Sequence, residues 1–179
     1  YEVDETRDIL TSTGMPLQLE HRIRVVGRRP NEMWLRIQGD AADREFWLHQ
    51  GKATLYDKYN KVFATRAVPG SIGQAVSVLT GTYDVDLPTA QLLSQDLERI
   101  LLLDVVELYY IGIGQVSGEM CHHILAREEE TDWQIWIHAR GKQLPCKAVI
   151  TYKRKQGLPS ITSRFKRWDL APSASSELF

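Results

Sequence analysis

The chain of 179 residues is short of several features that usually announce a function. It has no run of about 18 apolar residues, the minimum for a membrane-crossing helix; the longest apolar stretch, Ile100 to Val106, is interrupted by Asp104. It has no excess charge of either sign. Lysine and arginine number 22 against 23 aspartates and glutamates, so no long-range field draws the chain to nucleic acid or to an anionic membrane. It has no Gly-rich phosphate loop, no G-x-S-x-G and no H-E-x-x-H, and the run Glu128-Glu129-Glu130 reads as a solvated hairpin turn rather than an acid/base pair. The basic runs Arg28-Arg29-Pro30 and Lys153-Arg154-Lys155 read as soluble turns. We therefore expect no enzyme activity, no cofactor and no nucleic-acid partner. Only two cysteines occur, Cys121 and Cys146, too few to decide the compartment.

By length the chain is one domain, 1–179. Clusters of Gly, Pro and Asp punctuate its first third, as in Gly27-Arg28-Arg29-Pro30, Gly39-Asp40 and Gln50-Gly51. Between them lie strand-length stretches: Leu17 to Val26, Met33 to Gln38, Glu45 to His49, Ala53 to Asp57 and Lys61 to Thr65. Short strands at this spacing make antiparallel hairpins rather than βαβ units. Strands are thus expected over 1–66.

From Ser71 the period changes. Ile72, Ala75, Val76 and Leu79 recur at helical spacing, with Ser71 placed to cap the helix and Gly81 to stop it. After Pro88, the segment TAQLLSQDLERILLLD is again helical in pattern, with Thr89 available as its cap. Helices are expected over about 71–103. Strand signals resume at Val105 to Gln115, Cys121 to Arg127, Trp133 to Ala139, Lys147 to Lys153 and Ile161 to Trp168, spanning 105–168, before a Pro/Ser/Ala-rich tail at 169–179. The order predicts an α+β fold with a largely antiparallel sheet. The chain opens on Tyr1 in a polar, strand-like stretch, from which we expect that an upstream segment has been removed.

The segment TDWQIWIH carries apolar residues on both faces. Trp133, Ile135 and Ile137 alternate against Gln134, Trp136 and His138. Lys147 to Lys153 alternates likewise, Ala148, Ile150 and Tyr152 against Val149 and Thr151. A half-buried antiparallel sheet shows a polar outer face, so this one must meet something on its second side. Two readings stand: the Leu-rich helices fill the space as packed core, or they roof an apolar site.

The segments RRPNEMWLRIQGDAADREFWLHQGKATLYDKYNKVFAT, VDLPTAQLLSQDL, VSGEMCHHI, TDWQIWI and QLPCKAVITYK, with a closing RWDL and terminal Phe179, resemble a family of predicted periplasmic bacterial proteins of unknown function. That family belongs to a larger group with the lipoprotein-carrier (LolA-like) fold. The resemblance runs in order from about residue 20 to the C-terminus. It implies a strongly curved antiparallel sheet, an incomplete β-barrel, with a helical lid, in a protein exported to the periplasm or cell envelope. Carriers of that fold hold acyl chains between sheet and lid, although fold does not fix function. This chain departs from the family pattern at His122, usually acidic, and at Cys146, usually basic. From the strand-like start at Tyr1 we also do not expect, within these residues, the N-terminal helix that commonly precedes the first strand of such folds.

Cys121, His122 and His123 form, with His138, the one cluster that resembles metal ligands. A tight turn at Glu128 to Thr131 sets Cys121 opposite His138 and His123 opposite Trp136 on one face. The spacing matches no structural zinc motif and a fourth ligand is not evident, so we expect no metal. A second turn around Arg140 to Gln143 puts Cys146 near Ile137, on the opposite face and two strands from Cys121. Two strand spacings are about 10 Å, beyond the roughly 7 Å reach of a disulfide. Two free thiols are expected.

The expected function is a non-enzymatic envelope protein that binds a hydrophobic ligand, a lipid or lipoprotein acyl chain. The expected lining is Trp136, Leu125, Tyr110, Ile150, Trp34 and Trp47 from the sheet and Leu79, Leu93, Leu97 and Leu101 from the lid. The alternative is an interaction module that docks an envelope protein partner through an exposed edge strand or the lid.

Overall fold

The computed structural model describes residues 1–179 apart from 84, 86, 88, 176 and 177. Pro88, the expected start of the second helix, lies outside the described residues. Eleven strands are seen among them: β1 (Glu2–Leu10), β2 (Pro16–Arg28), β3 (Glu32–Gly39), β4 (Ala42–His49), β5 (Lys52–Asp57), β6 (Val62–Ala67), β7 (Glu107–Val116), β8 (Glu119–Arg127), β9 (Thr131–His138), β10 (Pro145–Tyr152) and β11 (Ser160–Arg167). They pair in the order β6-β5-β4-β3-β2-β1-β11-β10-β9-β8-β7. Every neighbouring pair but one is consecutive in sequence, which is why short turns suffice. The exception joins β1 to β11, antiparallel, from Asp8 opposite Ser160 to Val3 opposite Phe165. The fold is α+β with an antiparallel sheet, as expected, and most strand limits agree with the sequence reading to within one to three residues.

Turn chemistry sets the hairpins. Gln50-Gly51 and Ser117-Gly118 are two-residue loops in which both residues have positive φ, the backbone that lets a tight turn follow the right-handed twist of its strands. Glycine at the second place of each carries that conformation without a Cβ clash.

The described residues form two compact units. The first comprises Tyr1, Arg22–Leu101 and Asp169–Phe179. In it, β3 and β4 pair so that Met33 faces Leu48 and Leu35 faces Phe46, all buried. Ile23 and Val25 of β2 and Ala53 of β5 are buried with them, as are Ile72, Ala75, Val76 and Leu79 of α1 (Ile72–Tyr83). Helix α1 starts where expected: the Ser71 hydroxyl accepts the Gln74 N–H at 3.3 Å, a side-chain N-cap, and donates to Gln74 Oε1 at 3.0 Å. It continues through Gly81 to Tyr83, so that glycine does not end it.

The second expected helix is broken in two. A 3-10 turn (Ala90–Leu93) and a short helix α2 (Leu97–Leu102) flank Ser94, whose backbone is extended. Thr89 makes no side-chain cap. The break is a packing effect. Leu93 sits on Gly27 of β2, its Cδ1 only 2.5 Å from where a Cβ would stand, and the Ser94 side chain occupies the corresponding space at Gly73. The Arg29 guanidinium donates to the carbonyls of Leu92 and Leu93, at 3.2 and 2.9 Å, satisfying the end of the 3-10 turn.

The second unit comprises Glu2–His21 and Leu102–Trp168. It contains β1, β7–β11 and the start of β2, with no helix of its own beyond the last residue of α2. Three irregularities interrupt its ladders, between Glu2 and Val3, between Tyr110 and Gly112, and between Pro145 and Lys147. Each adds a residue to one strand and changes which face the following side chains occupy.

Candidate functional site

Register sorts the side chains of the second unit onto two faces, because directly opposed residues in an antiparallel pair share a face. Strands β8 and β9 pair with Cys121 opposite His138, His123 opposite Trp136, Leu125 opposite Gln134 and Arg127 opposite Asp132, the register the turn at Glu128 to Thr131 predicts. On β10, Lys147 is opposite Trp136 and Ile150 opposite Trp133.

The first face is engaged with itself. The Trp136 ring stacks on His123 with centroids 3.9 Å apart, and Lys147 Nζ lies 4.4 Å from its centroid. His123 Nε2 is 3.0 Å from Gln134 Oε1. Burial, and to a lesser degree Arg164 opposite it on β11, lowers the pKa of Lys147 from the usual lysine value. Toward the end of this face the Tyr109 hydroxyl bonds to Glu107, which raises the tyrosine's pKa, and Arg127 pairs with Glu107 at 3.0 Å.

The second face is largely apolar, with Ala126 and Ile161 buried and the side toward β7 exposed. Ile124, Ile135 and Ala148 line up across β8, β9 and β10, followed by Ala126, Trp133 and Ile150, and Ile150 continues to Ile161 of β11. On β7, Leu108 and Tyr110 belong to the same face, opposite Ala126 and Ile124. Ile124, Trp133, Ile135 and Ile150 are each only half-buried. Leu108 is 54% exposed, Tyr110 63% and Ile113 55%. The rows become polar beyond β10: Ala148 is followed by Ser163 and the buried Glu5, and Ile161 by Arg7, whose Nε donates to Glu5 at 2.6 Å. Tyr110 Oη is 2.9 Å from His122 Nδ1, with the two ring centroids 5.9 Å apart, and the Trp133 indole N–H donates to Glu128 at 2.7 Å, so both aromatic residues have anchored polar ends.

The residues expected to line one site are thus distributed. Tyr110 and Ile150 lie on the largely apolar face, whereas Trp136 and Leu125 lie on the opposite one. Trp34 and Trp47 are direct partners in the first unit, on the face away from Met33, Leu35, Phe46 and Leu48, beside the ion pairs of Arg36, Glu45 and Lys58. Leu79 is buried in that unit's core and Leu93 is packed on Gly27. Leu97 and Leu101 of α2 are half-buried. Trp133, Ile124 and Ile135 were not among the expected site residues. The alternation Trp133, Ile135, Ile137 is visible in the sequence and holds two of them.

The cysteine expectation is overturned. Cys121 and Cys146 form a disulfide, with an S–S distance of 2.04 Å and Cα atoms 6.9 Å apart. The expected register holds along most of β9 and β10, from Lys147 opposite Trp136 to Tyr152 opposite Thr131, and slips by one residue at the end, where Pro145 rather than Cys146 faces Ile137. Cys146 is the extra residue of this bulge. It is freed from the pleat that would have pointed it away, and the bend brings two strands separated by β9 within bonding reach. With Cys121 oxidised and His123 held by Trp136 and Gln134, the set Cys121, His123 and His138 is not arranged as a metal centre.

Eleven antiparallel strands with helices inserted between β6 and β7 make this an α+β protein built on one antiparallel sheet. The chain belongs to the family described as predicted periplasmic protein DUF2092, whose model matches residues 1–179. A disulfide suits that oxidising compartment. In sequence, no curated protein matches the chain. Among solved structures it is similar to LprF from Mycobacterium bovis, at 11% identity over 97% of this chain and 87% of that one, with a TM-score of 0.50. It also aligns with the lipoprotein LppX from Mycobacterium tuberculosis (14% identity, 91% and 83% of the two chains, TM-score 0.48). A LolA superfamily protein from Nitrosomonas europaea aligns at 7% identity over 93% and 83% of the chains, with a TM-score of 0.38. At these identities the likeness concerns the fold alone.

Proposed function

We propose that the chain is a non-enzymatic periplasmic protein that binds a hydrophobic ligand, the acyl chain of a lipid or lipoprotein, on the largely apolar face of the second unit. The observation that carries the reading is the contiguous, partly exposed surface of Ile124, Trp133, Ile135 and Ile150, continued by the exposed Leu108 and Tyr110. Apolar surface of this extent is costly to leave in water and commonly marks a binding site. Covering roughly 300 Å² of acyl surface at about 25 cal/mol/Å² yields about 7 kcal/mol before ordering costs, enough for retention without a charged anchor. Tyr110 and Ile150 keep the role expected from sequence; Trp133, Ile124 and Ile135 join them.

Native mass spectrometry of protein purified without detergent, followed by organic extraction, tests this. A stoichiometric lipid lost on Ile135→Asp but kept on Leu125→Asp is the expected result. Equal loss from both variants, or a bare polypeptide that takes up no added fatty acid or phospholipid, would remove the assignment.

A second reading rests on β7, which ends the strand order. Its Tyr109 and Ile111 are exposed as well as Leu108 and Tyr110, an unguarded edge of the kind to which an envelope protein partner adds a strand. Binding of an extended apolar peptide that protects β7 amides from exchange, in lipid-free protein, would favour it.

A further inference from the structure

The disulfide has a third neighbour. The sulfurs of Cys121 and Cys146 and a ring nitrogen of His138 all lie within 4.8 Å of one another. Both cysteines are buried and His138 is half-buried. The other histidines of this sheet region are committed, His122 to Tyr110 and His123 to Gln134 and Trp136. The His138 ring makes no side-chain hydrogen bond with the described residues, so its nitrogen is not spent on structure.

We propose that reduction of the Cys121–Cys146 disulfide opens a site for a thiophilic d10 cation, Zn²⁺ or Cu⁺, held by the two thiolates and the imidazole of His138. Zinc binds sulfur at about 2.3 Å and imidazole nitrogen at about 2.0–2.1 Å, which places tetrahedral donors within about 4 Å of each other. Once the S–S bond is broken the two sulfurs are free to move apart to that spacing, and side-chain rotation closes the remainder. Soft thiolates with one imidazole select Zn²⁺ or Cu⁺ over the hard cations that prefer oxygen. Three protein donors leave a fourth position to water or an exogenous thiol, so the cation is exchangeable rather than sealed in.

The balance is that of thiol–disulfide exchange. A dithiol reductant gives two electrons and two protons; its own sulfurs become a disulfide, and Cys121 and Cys146 become thiols. Binding of the cation then releases the two thiol protons. The site is on the face opposite the apolar one, and the proposal does not depend on ligand binding there.

The test compares oxidised protein with protein reduced by a phosphine and desalted without oxygen, each titrated with Zn²⁺ and with Cu⁺ against a competing chelator. Co²⁺ serves as a spectroscopic probe of tetrahedral thiolate ligation. Reduced protein is expected to bind one equivalent that oxidised protein does not. His138→Ala should weaken that binding by roughly tenfold or more, using the loss seen for supporting residues of metal sites as a lower bound, and His123→Ala should leave it unchanged. A reduced protein that binds no more tightly than Cys121→Ser/Cys146→Ser, or equal affinities with and without His138, would overturn the proposal. If reduction disorders the sheet, near-UV circular dichroism becomes the readout: the cation must restore the native spectrum in wild type and not in His138→Ala, and failure to restore it counts equally against the site.

Discussion

The two units treat an apolar sheet face in opposite ways. In the first, Met33, Leu35, Phe46 and Leu48 present a continuous apolar surface that is buried together with α1, and the reverse face carries ion pairs such as Arg36–Glu45 and Lys58–Glu45 beside the Trp34–Trp47 pair. In the second, the apolar rows of β8–β10 have no helix within their unit beyond the end of α2 and are partly exposed, most of all toward β7, while the reverse face is locked by stacking around Trp136 and by a disulfide. Composition alone does not distinguish them. One face stabilises the fold, and the other is the one on which we have proposed ligand binding.

Core truncation should separate the two most sharply. Phe46, 1% exposed, should cost about 3–5 kcal/mol as Phe46→Ala. Ile135→Ala, at a partly exposed position, should cost less, about 1–2 kcal/mol, and should reduce lipid retention instead. Urea denaturation of both variants checks this, and similar stability losses would erase the distinction. Next comes the covalent tie. Cys121→Ser/Cys146→Ser opens a loop with a sequence separation of 25, worth about 3–4 kcal/mol on the chain-entropy account. Hydrogen exchange should show amides of β8–β10 losing protection before those of β3 and β4.

Gly27→Ala probes the helical cover of the first unit. The added Cβ meets Leu93 Cδ1, and overpacking of this kind costs about 1–3 kcal/mol. A double variant with Leu93→Ala should be less destabilised than the sum of the two single changes, measured as a thermodynamic cycle. Removing the α1 cap by Ser71→Ala should cost about 1 kcal/mol, lowering the melting temperature with no change in lipid content.

The smallest effect concerns pH. Because burial lowers the pKa of Lys147 below its unfolded value, the folded chain holds fewer protons than the unfolded chain between the two values. Stability attributable to this group therefore rises with pH across that window, which ends near the ordinary lysine pKa, and is constant below it. Lys147→Met should flatten that part of the wild-type profile of urea midpoint against pH; an unchanged slope would place the ammonium in ordinary solvent.

Most of the fold could be read because strands and α1 obey simple periods, and because the turn at Glu128 to Thr131 fixes the β8–β9 register through its length. What could not be read depended on contacts distant in sequence or on a single inserted residue. The pattern from Thr89 to Asp104 is helical throughout, yet Leu93 and Ser94 are held by Gly27 and Gly73, and the chain yields to that packing. Alternation places Cys146 on the wrong side because a bulge falls on it. For the site, the two faces of β9 were both legible, but not how each is engaged: Trp136 finds His123 and Lys147 on its own face, whereas the Trp133 indole N–H donates to Glu128.

The disulfide joins the strands on either side of β9, so the ring it closes contains the whole of that strand and both turns that flank it. Glu129, Glu130 and the residues from Arg140 to Gln143 in those turns are exposed, where a protease cuts most readily. A single cut there severs the backbone without dividing the molecule. The nicked protein should migrate as one species until a reductant is added and as two afterwards, which makes this the one stretch of the second unit whose damage an oxidising compartment conceals.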